Sequence, residues 1–219
     1  MSKRKAHRMI IGERNELAIG YWPSAIRMAV PEDAKAAIPL ILQAIGQIAF
    51  LLSGTTDKAE TEAILSDFFR QPANRLSYEC TLVLEEDSEA VGIAIVYDGA
   101  DARALTAPLE RAAAQKTGKL DYCIPMEPEV SEFYLDALSV LARCHRRGYG
   151  RALIEAGCER AKKLGHTRFA LLVDVDNPSA KRLYSRLGFY TDSSKWIAGH
   201  EYSHMVRDLT VMGKVIGDS

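Results

Sequence analysis

No stretch of the chain approaches the roughly 20 consecutive apolar residues that a membrane-crossing helix requires. The basic N-terminal cluster Lys3 to Arg8 is not followed by the apolar core of a secretion signal. The expectation is a cytoplasmic protein with no membrane contact. Cysteine is scarce, and Cys80, Cys123, Cys144 and Cys158 show neither C-x-x-C nor metal-ligand spacing, which argues against a disulfide scaffold or zinc ribbon and for reduced thiols and no metal site. Cys144 abuts a glycine-bearing turn, but no base nearby is arranged to make it a nucleophile. Net charge is almost absent, 28 Lys and Arg against 29 Asp and Glu, so no global field favours nucleic acid or an anionic surface. Any basic site must be local. Internal repeats and low-complexity tracts are missing too.

A chain of 219 residues suits one medium domain with a sizeable core. Residues 1–23 lack a sustained period and read as a poorly ordered extension, leaving residues 24–219 as the domain. Ala25 to Val30 reads as a strand, and Pro31-Glu32-Asp33 opens a helix with proline and acids in its first turn. Apolar residues then recur at helical spacing from Glu32 to Leu52, where Gly54 stops the run, and again from Lys58 to Phe69. Leu76 to Glu85 and Ala90 to Tyr97 read as antiparallel strands joined by a polar turn. The segment Asp98 to Val130 is polar and contains Pro108, Pro125 and Pro128. It is long for a connection, which marks it as functional or mobile, with one short helix at Leu105 to Gln115. Glu132 to Val140 is the fourth strand, Gly148 to Leu164 a helix, Arg168 to Val175 a strand apolar enough to be buried on both faces, and Ser179 to Leu187 a helix. Phe189 to Thr191 and His200 to Leu209 close the chain as paired strands. The order β-α-α-β-β-β-α-β-α-β-β is an α/β fold, a mixed sheet with helices on both faces.

The chemistry concentrates in His145-Arg146-Arg147-Gly148-Tyr149-Gly150-Arg151, between a strand and a helix. First-turn amides and the helix dipole attract phosphate, and glycines let backbone approach a ligand. Arg146, Arg147 and Arg151 add charge suited to phosphate oxygens. A Walker loop needs a Lys-Ser/Thr end, and the dinucleotide fingerprint needs a third glycine where Leu153 stands. Neither fits.

The turn resembles [Q/R]-x-x-G-x-[G/A], the acyl-CoA loop of the GNAT superfamily of N-acetyltransferases, with His145 in place of the usual Gln or Arg. Tyr134 to Val140 resembles the strand before that loop. Asn177-Pro178-Ser179-Ala180-Lys181-Arg182-Leu183-Tyr184-Ser185-Arg186-Leu187-Gly188-Phe189 matches N-x-x-A-x-x-L-Y-x-x-x-G-F. The resemblance covers Ala25 to Leu209. It implies a GNAT-like, mostly antiparallel sheet and acetyl transfer from acetyl-CoA to an amine by direct attack. The pyrophosphate would sit on residues His145 to Arg151, and the pantetheine arm in a gap between the fourth and fifth strands, against Leu138, Ser139 and Val140, with Asn177 fixing the following loop. An N–H near Val140 would hold the oxyanion.

An ammonium acceptor must lose a proton, and the thiolate leaving group must gain one. By the resemblance Tyr184 is the acid. Asp136, on one strand face with Tyr134 and Glu132 by period two, is the first choice of base. Tyr134, His200 and His204 are candidate acceptor contacts, the histidines sharing a face by parity. The acceptor is a small-molecule amine or a peptide or protein amine, and a homodimer is conceivable. The competing reading is a non-catalytic acyl-CoA sensor of the same fold.

Overall fold

The computed structural model describes residues 25–197 and 199–210. The extension expected at residues 1–23 lies outside them. In chain order the elements are β1 (Ala25–Met28), α1 (Ala34–Ile45), α2 (Ile48–Ser53), α3 (Lys58–Arg70), β2 (Thr81–Glu86), β3 (Glu89–Asp98), α4 (Ala102–Thr117) and β4 (Phe133–Val140). Then follow α5 (Tyr149–Lys163), β5 (Arg168–Asp174), α6 (Pro178–Arg186), β6 (Tyr190–Ile197) and β7 (His200–Asp208). The strands form one seven-stranded sheet in the order β1-β2-β3-β4-β5-β7-β6. Only β4 and β5 pair in parallel; the other neighbours are antiparallel. This is the expected mixed α/β sheet.

Alternation along the strands builds a core on each face. On one face α1 to α4 bury Ile38, Ile41, Leu52, Leu65, Phe69 and Leu109 against Val83, Ile93, Ile95 and Tyr134. On the other, α5 lays Ala152, Leu153, Ala156 and Ala161 over Leu82, Ala94, Val96, Phe169 and Leu171. Leu153 is fully buried, which contributes roughly 1.5–3 kcal/mol by area removed from water.

Local chemistry moves several expected boundaries. The single helix foreseen from Glu32 to Leu52 breaks at Gly46, whose φ of 53° ends α1 before α2 restarts. The strand foreseen from Leu76 begins only at Thr81. Upstream of it Asn74 Nδ2 donates to Phe68 O at 2.9 Å, Asn74 Oδ1 accepts from Leu76 N at 3.0 Å and Ser77 Oγ from Glu79 N at 3.1 Å. These side chains compete with the strand ladder for backbone groups, and the turn they build aims Arg75 inward. Helix α4 is longer than the short helix expected, and β6 runs well past Thr191. Glu132 precedes β4 rather than belonging to it.

Candidate active site

A gap opens in the middle of the sheet. The β4–β5 ladder holds only Phe133↔Phe169, Tyr134↔Ala170 and Leu135↔Leu171. Yet β4 continues against β3 to Val140↔Gly92, and β5 against β7 to Asp174↔Tyr202. The strands part where β4 bulges: Val96 pairs Leu135 and Ile95 pairs Ala137, so Asp136 has no partner across the ladder. A bulge bends its strand and increases local twist. The edge of β4 from Asp136 to Val140 is thereby left without a β5 partner, and Asp136, Ala137 and Leu138 line a cleft of about 520 Å³.

At one end, β4 passes through a short turn, Ala142–Cys144, into α5. Arg146 and Gly148 take left-handed backbone, with φ of 62° and 84°. Glycine suits the second position, which would strain a bulkier residue, and it delivers the chain into α5 with the first-turn amides of Tyr149, Gly150 and Arg151 at the helix start. A Cβ on Gly150 would meet nothing within 4 Å, so protein packing does not require glycine there. His145 Nε2 lies 2.9 Å from Val140 O, which ties the turn to the strand end.

The arginines divide. Arg147 binds both oxygens of Glu86, one of them at 2.8 Å, and lies 5.0 Å over the Tyr149 ring. The Tyr149 hydroxyl donates to the same carboxylate at 2.5 Å, and its ring is buried. These side chains brace the turn against the β2–β3 hairpin, while Arg146 and Arg151 are exposed.

Across the cleft stands α6. Asn177 Oδ1 accepts from Ala180 N at 3.1 Å, capping the helix, and Pro178 occupies the first helical position. Asn177, Ala180, Leu183 and Tyr184 line the cleft with Leu138 of β4. The Tyr184 ring meets Phe189 edge-on, centroids 5.8 Å apart. Burial pushes its hydroxyl up to about 12, so it carries its proton throughout the neutral range.

The other end of the cleft holds a charged cluster. Arg75 grips Asp136 with two bonds, Nε to Oδ2 at 2.9 Å and Nη2 to Oδ1 at 2.5 Å. Its Nη2 also donates to Glu127 Oε1 at 2.9 Å, and the Tyr134 hydroxyl donates to Glu127 Oε2 at 2.9 Å. Burial raises the Glu127 carboxyl above its usual range; Arg75 pulls it down, Asp136 pushes it up, and the net direction is upward. The sequence by itself does not mark Arg75 or Glu127. The available signal for Glu127 was the unusual length of the segment that carries it.

The histidines fare differently. On β7 it is Tyr202 that lines the cleft. His204 shares its face by parity but is 1% exposed and holds Glu132 Oε1 at 3.0 Å through Nε2, while His200 is exposed at the start of the strand. Glu132 therefore serves His204 rather than the cleft. Cys144 is buried, 3.8 Å from Glu86. Among the described residues no group of three His, Cys, Asp or Glu is placed to hold a metal ion, and no helix is long and apolar enough to cross a membrane.

An open seven-stranded sheet split at its one parallel pair, with a glycine turn feeding a helix at the split, is the architecture of GNAT acyltransferases. The chain belongs to that acetyltransferase family: the model of the acetyltransferase (GNAT) family matches residues 47–189. A crystal structure described as an acetyltransferase is 33% identical, with a TM-score of 0.70 over 84% of this chain and 98% of the other. An N-acetyltransferase from Staphylococcus aureus is 22% identical, with a TM-score of 0.66 over 83% and 98%. The PaiA N-acetyltransferase from Thermoplasma acidophilum, solved in complex with coenzyme A, is 14% identical, with a TM-score of 0.50 over 84% and 98%. No curated protein matches the chain.

Proposed function

We propose that this enzyme moves an acetyl group from acetyl-CoA to a primary amine by direct attack, with both substrates bound together in the cytoplasm. The observation that carries the reading is the edge of β4 from Asp136 to Val140 that has no partner on β5, which leads from the glycine turn at one end to the charged cluster at the other. Unladdered backbone offers regularly spaced donors and acceptors to an amide-bearing ligand such as the pantetheine arm. The amides of residues 148 to 151 and the charges of Arg146 and Arg151 suit the pyrophosphate. A fold relative that holds coenzyme A supports the choice of co-substrate.

In this reading Asn177 keeps the α6 end of the cleft in place, and Tyr184 protonates the departing sulfur. Proximity and pre-aimed dipoles supply most of the rate, with a backbone N–H near Val140 facing the oxyanion. Three ammonium protons are accounted for: one stays on the amide, one reaches the thiol by way of Tyr184, and one leaves to solvent through a base.

Calorimetric titration with acetyl-CoA tests the reading. The wild type should bind at about micromolar Kd, roughly −8 kcal/mol. A Gly148→Asp chain, still folded by thermal melt, should bind at least ~30-fold more weakly, because a carboxylate stands where the pyrophosphate belongs. Absence of binding by the wild type at millimolar concentration would end the transferase reading.

Tyr184→Phe should lower kcat by about 100-fold, within the usual range for a lost general acid, and leave acetyl-CoA affinity nearly unchanged. Because burial pushes the hydroxyl up to about 12, the loss should be uniform from about pH 6 to 9. A pH-rate series on both chains checks this; equal rates would remove the acid role from Tyr184.

A further inference from the structure

Two carboxylates at the acceptor end of the cleft share one guanidinium, and they share it unequally. Asp136 gives both oxygens to Arg75, whose side chain is 3% exposed, while that of Asp136 is 6% exposed. Glu127 gives Arg75 one oxygen, takes the Tyr134 hydroxyl on the other, and is the more open of the two at 12%. With both acids ionised the trio carries one surplus negative charge. Among the described residues lining the cleft, Arg75 is the only Lys or Arg, while Asp174 adds a third acid. Beside the trio the wall is apolar, built by Ile45, Ile48, Leu52 and Leu76.

The support behind Glu127 is unusually firm for a connecting segment. Lys195 Nζ of β6 donates to Glu127 O at 2.7 Å and to Glu129 Oε1 at 2.5 Å. Gly99 N donates to Glu132 O at 2.8 Å, and Ile124 N donates to Glu110 Oε1 at 2.9 Å. A functional side chain held by such a second layer keeps its geometry when a ligand arrives.

We infer that Glu127, not Asp136, receives the ammonium of the acceptor and removes its proton, and that the acceptor is a cationic amine on an apolar stem with no carboxylate beside the nitrogen. This rests on the acetyltransferase reading and narrows it. An ammonium restores charge balance at Glu127. Among the described residues lining the cleft a neighbouring carboxylate finds no free cation, since Arg75 is already held by Asp136 and Glu127, and like charge at short range is unfavourable. Asp136 has its oxygens on Arg75 and acts as a positioning residue: it fixes the guanidinium that orients Glu127. The step balances simply. Glu127 takes one ammonium proton, the freed lone pair forms the C–N bond, and the C–S bond breaks with its pair on sulfur, which ends as the thiol. Glu127 then returns its proton to solvent. Its upward-shifted carboxyl is matched to this exchange better than an ordinary glutamate.

The test uses the full chain, acetyl-CoA and two probes that share a stem, pentylamine and norleucine, with thiol release as the readout. The wild type should acetylate pentylamine, with kcat/KM at least ~100-fold above that for norleucine. Glu127→Gln should lose about 100-fold in kcat/KM for pentylamine while binding acetyl-CoA as the wild type does by calorimetry. The acid limb of the wild-type pH profile should disappear in that variant. The ionisable groups facing Glu127 are Arg75, Asp136 and Tyr134, with Tyr97 of β3 and Tyr202 of β7 nearby. Asp136→Asn reports on the remaining carboxyl and should keep the limb. Full activity in Glu127→Gln, a limb that follows Asp136 instead, a preference for norleucine, or acetyl-CoA binding without turnover of pentylamine would each overturn the proposal and leave the cofactor assignment standing. A wild type that does not bind acetyl-CoA would instead overturn the reading beneath it.

Discussion

Arg75→Ala should cost about 3–5 kcal/mol of stability, the range for removing one partner of a buried ion pair, and should lower Tm by roughly 10 °C in a chain of this length. The cause is more than a lost contact. Two buried carboxylates, Asp136 and Glu127, lose the guanidinium that bonds both of them, and among the described residues no second Lys or Arg lines the cleft to replace it. The deficit should depend on pH with a definite sign. Burial already raises the Glu127 carboxyl and Arg75 opposes that shift; without Arg75 the folded form binds more protons than the unfolded one, and stability falls as pH rises. Urea denaturation at about pH 5.5 and 7.5 should therefore show the larger loss at the higher pH. Adding Asp136→Asn to the same chain should recover part of it. A loss that is equal at both pH values and unrelieved by Asp136→Asn would mean that packing, not unpaired charge, is what Arg75 provides.

Gly99→Ala should be nearly as damaging, though it adds a single methyl. That Cβ would stand 1.9 Å from the Glu129 carbonyl oxygen and 2.9 Å from that of Glu132, where real contacts do not go. Gly99 opens the short turn Gly99–Asp101 that leads into α4 at Ala102, and the Gly99 N–H is bonded to Glu132 O, so the segment 129–132 must yield. Overpacking of this kind costs about 3 kcal/mol. Because that segment is continuous with Glu127, amine turnover should fall by more than stability alone explains, while acetyl-CoA affinity stays near the wild-type value, its proposed turn lying beyond the far end of β4. Thermal melts, calorimetry and steady-state kinetics on one preparation separate these effects. Unchanged amine kinetics would show that the segment adapts without moving Glu127.

What the sequence determined by itself is local. The period of 3.6 residues marks α3 and α5, the apolar run at Arg168 to Val175 marks β5, and the Asn-Pro pair marks the start of α6, because propensity, capping and binary pattern agree in each. The turn at residues 145–151 and the α6 positions of Asn177 and Tyr184 were legible for the same reason: each motif fits within one strand-turn-helix or turn-helix unit. Tertiary structure decided the rest. Strand β6 is exposed at most positions and shows no alternation to read; its pairing with β7 makes it a strand. Arg75 meets Glu127 and Asp136 across 52 and 61 residues of chain, and His204 meets Glu132 across 72. Such distant ion pairs leave no periodic trace, since the position of one charge in the sequence says nothing of the position of its partner. Only the folded sheet, with its bulge at Asp136 and the α4–β4 segment laid across its end, turns them inward, where low dielectric makes their pairing matter.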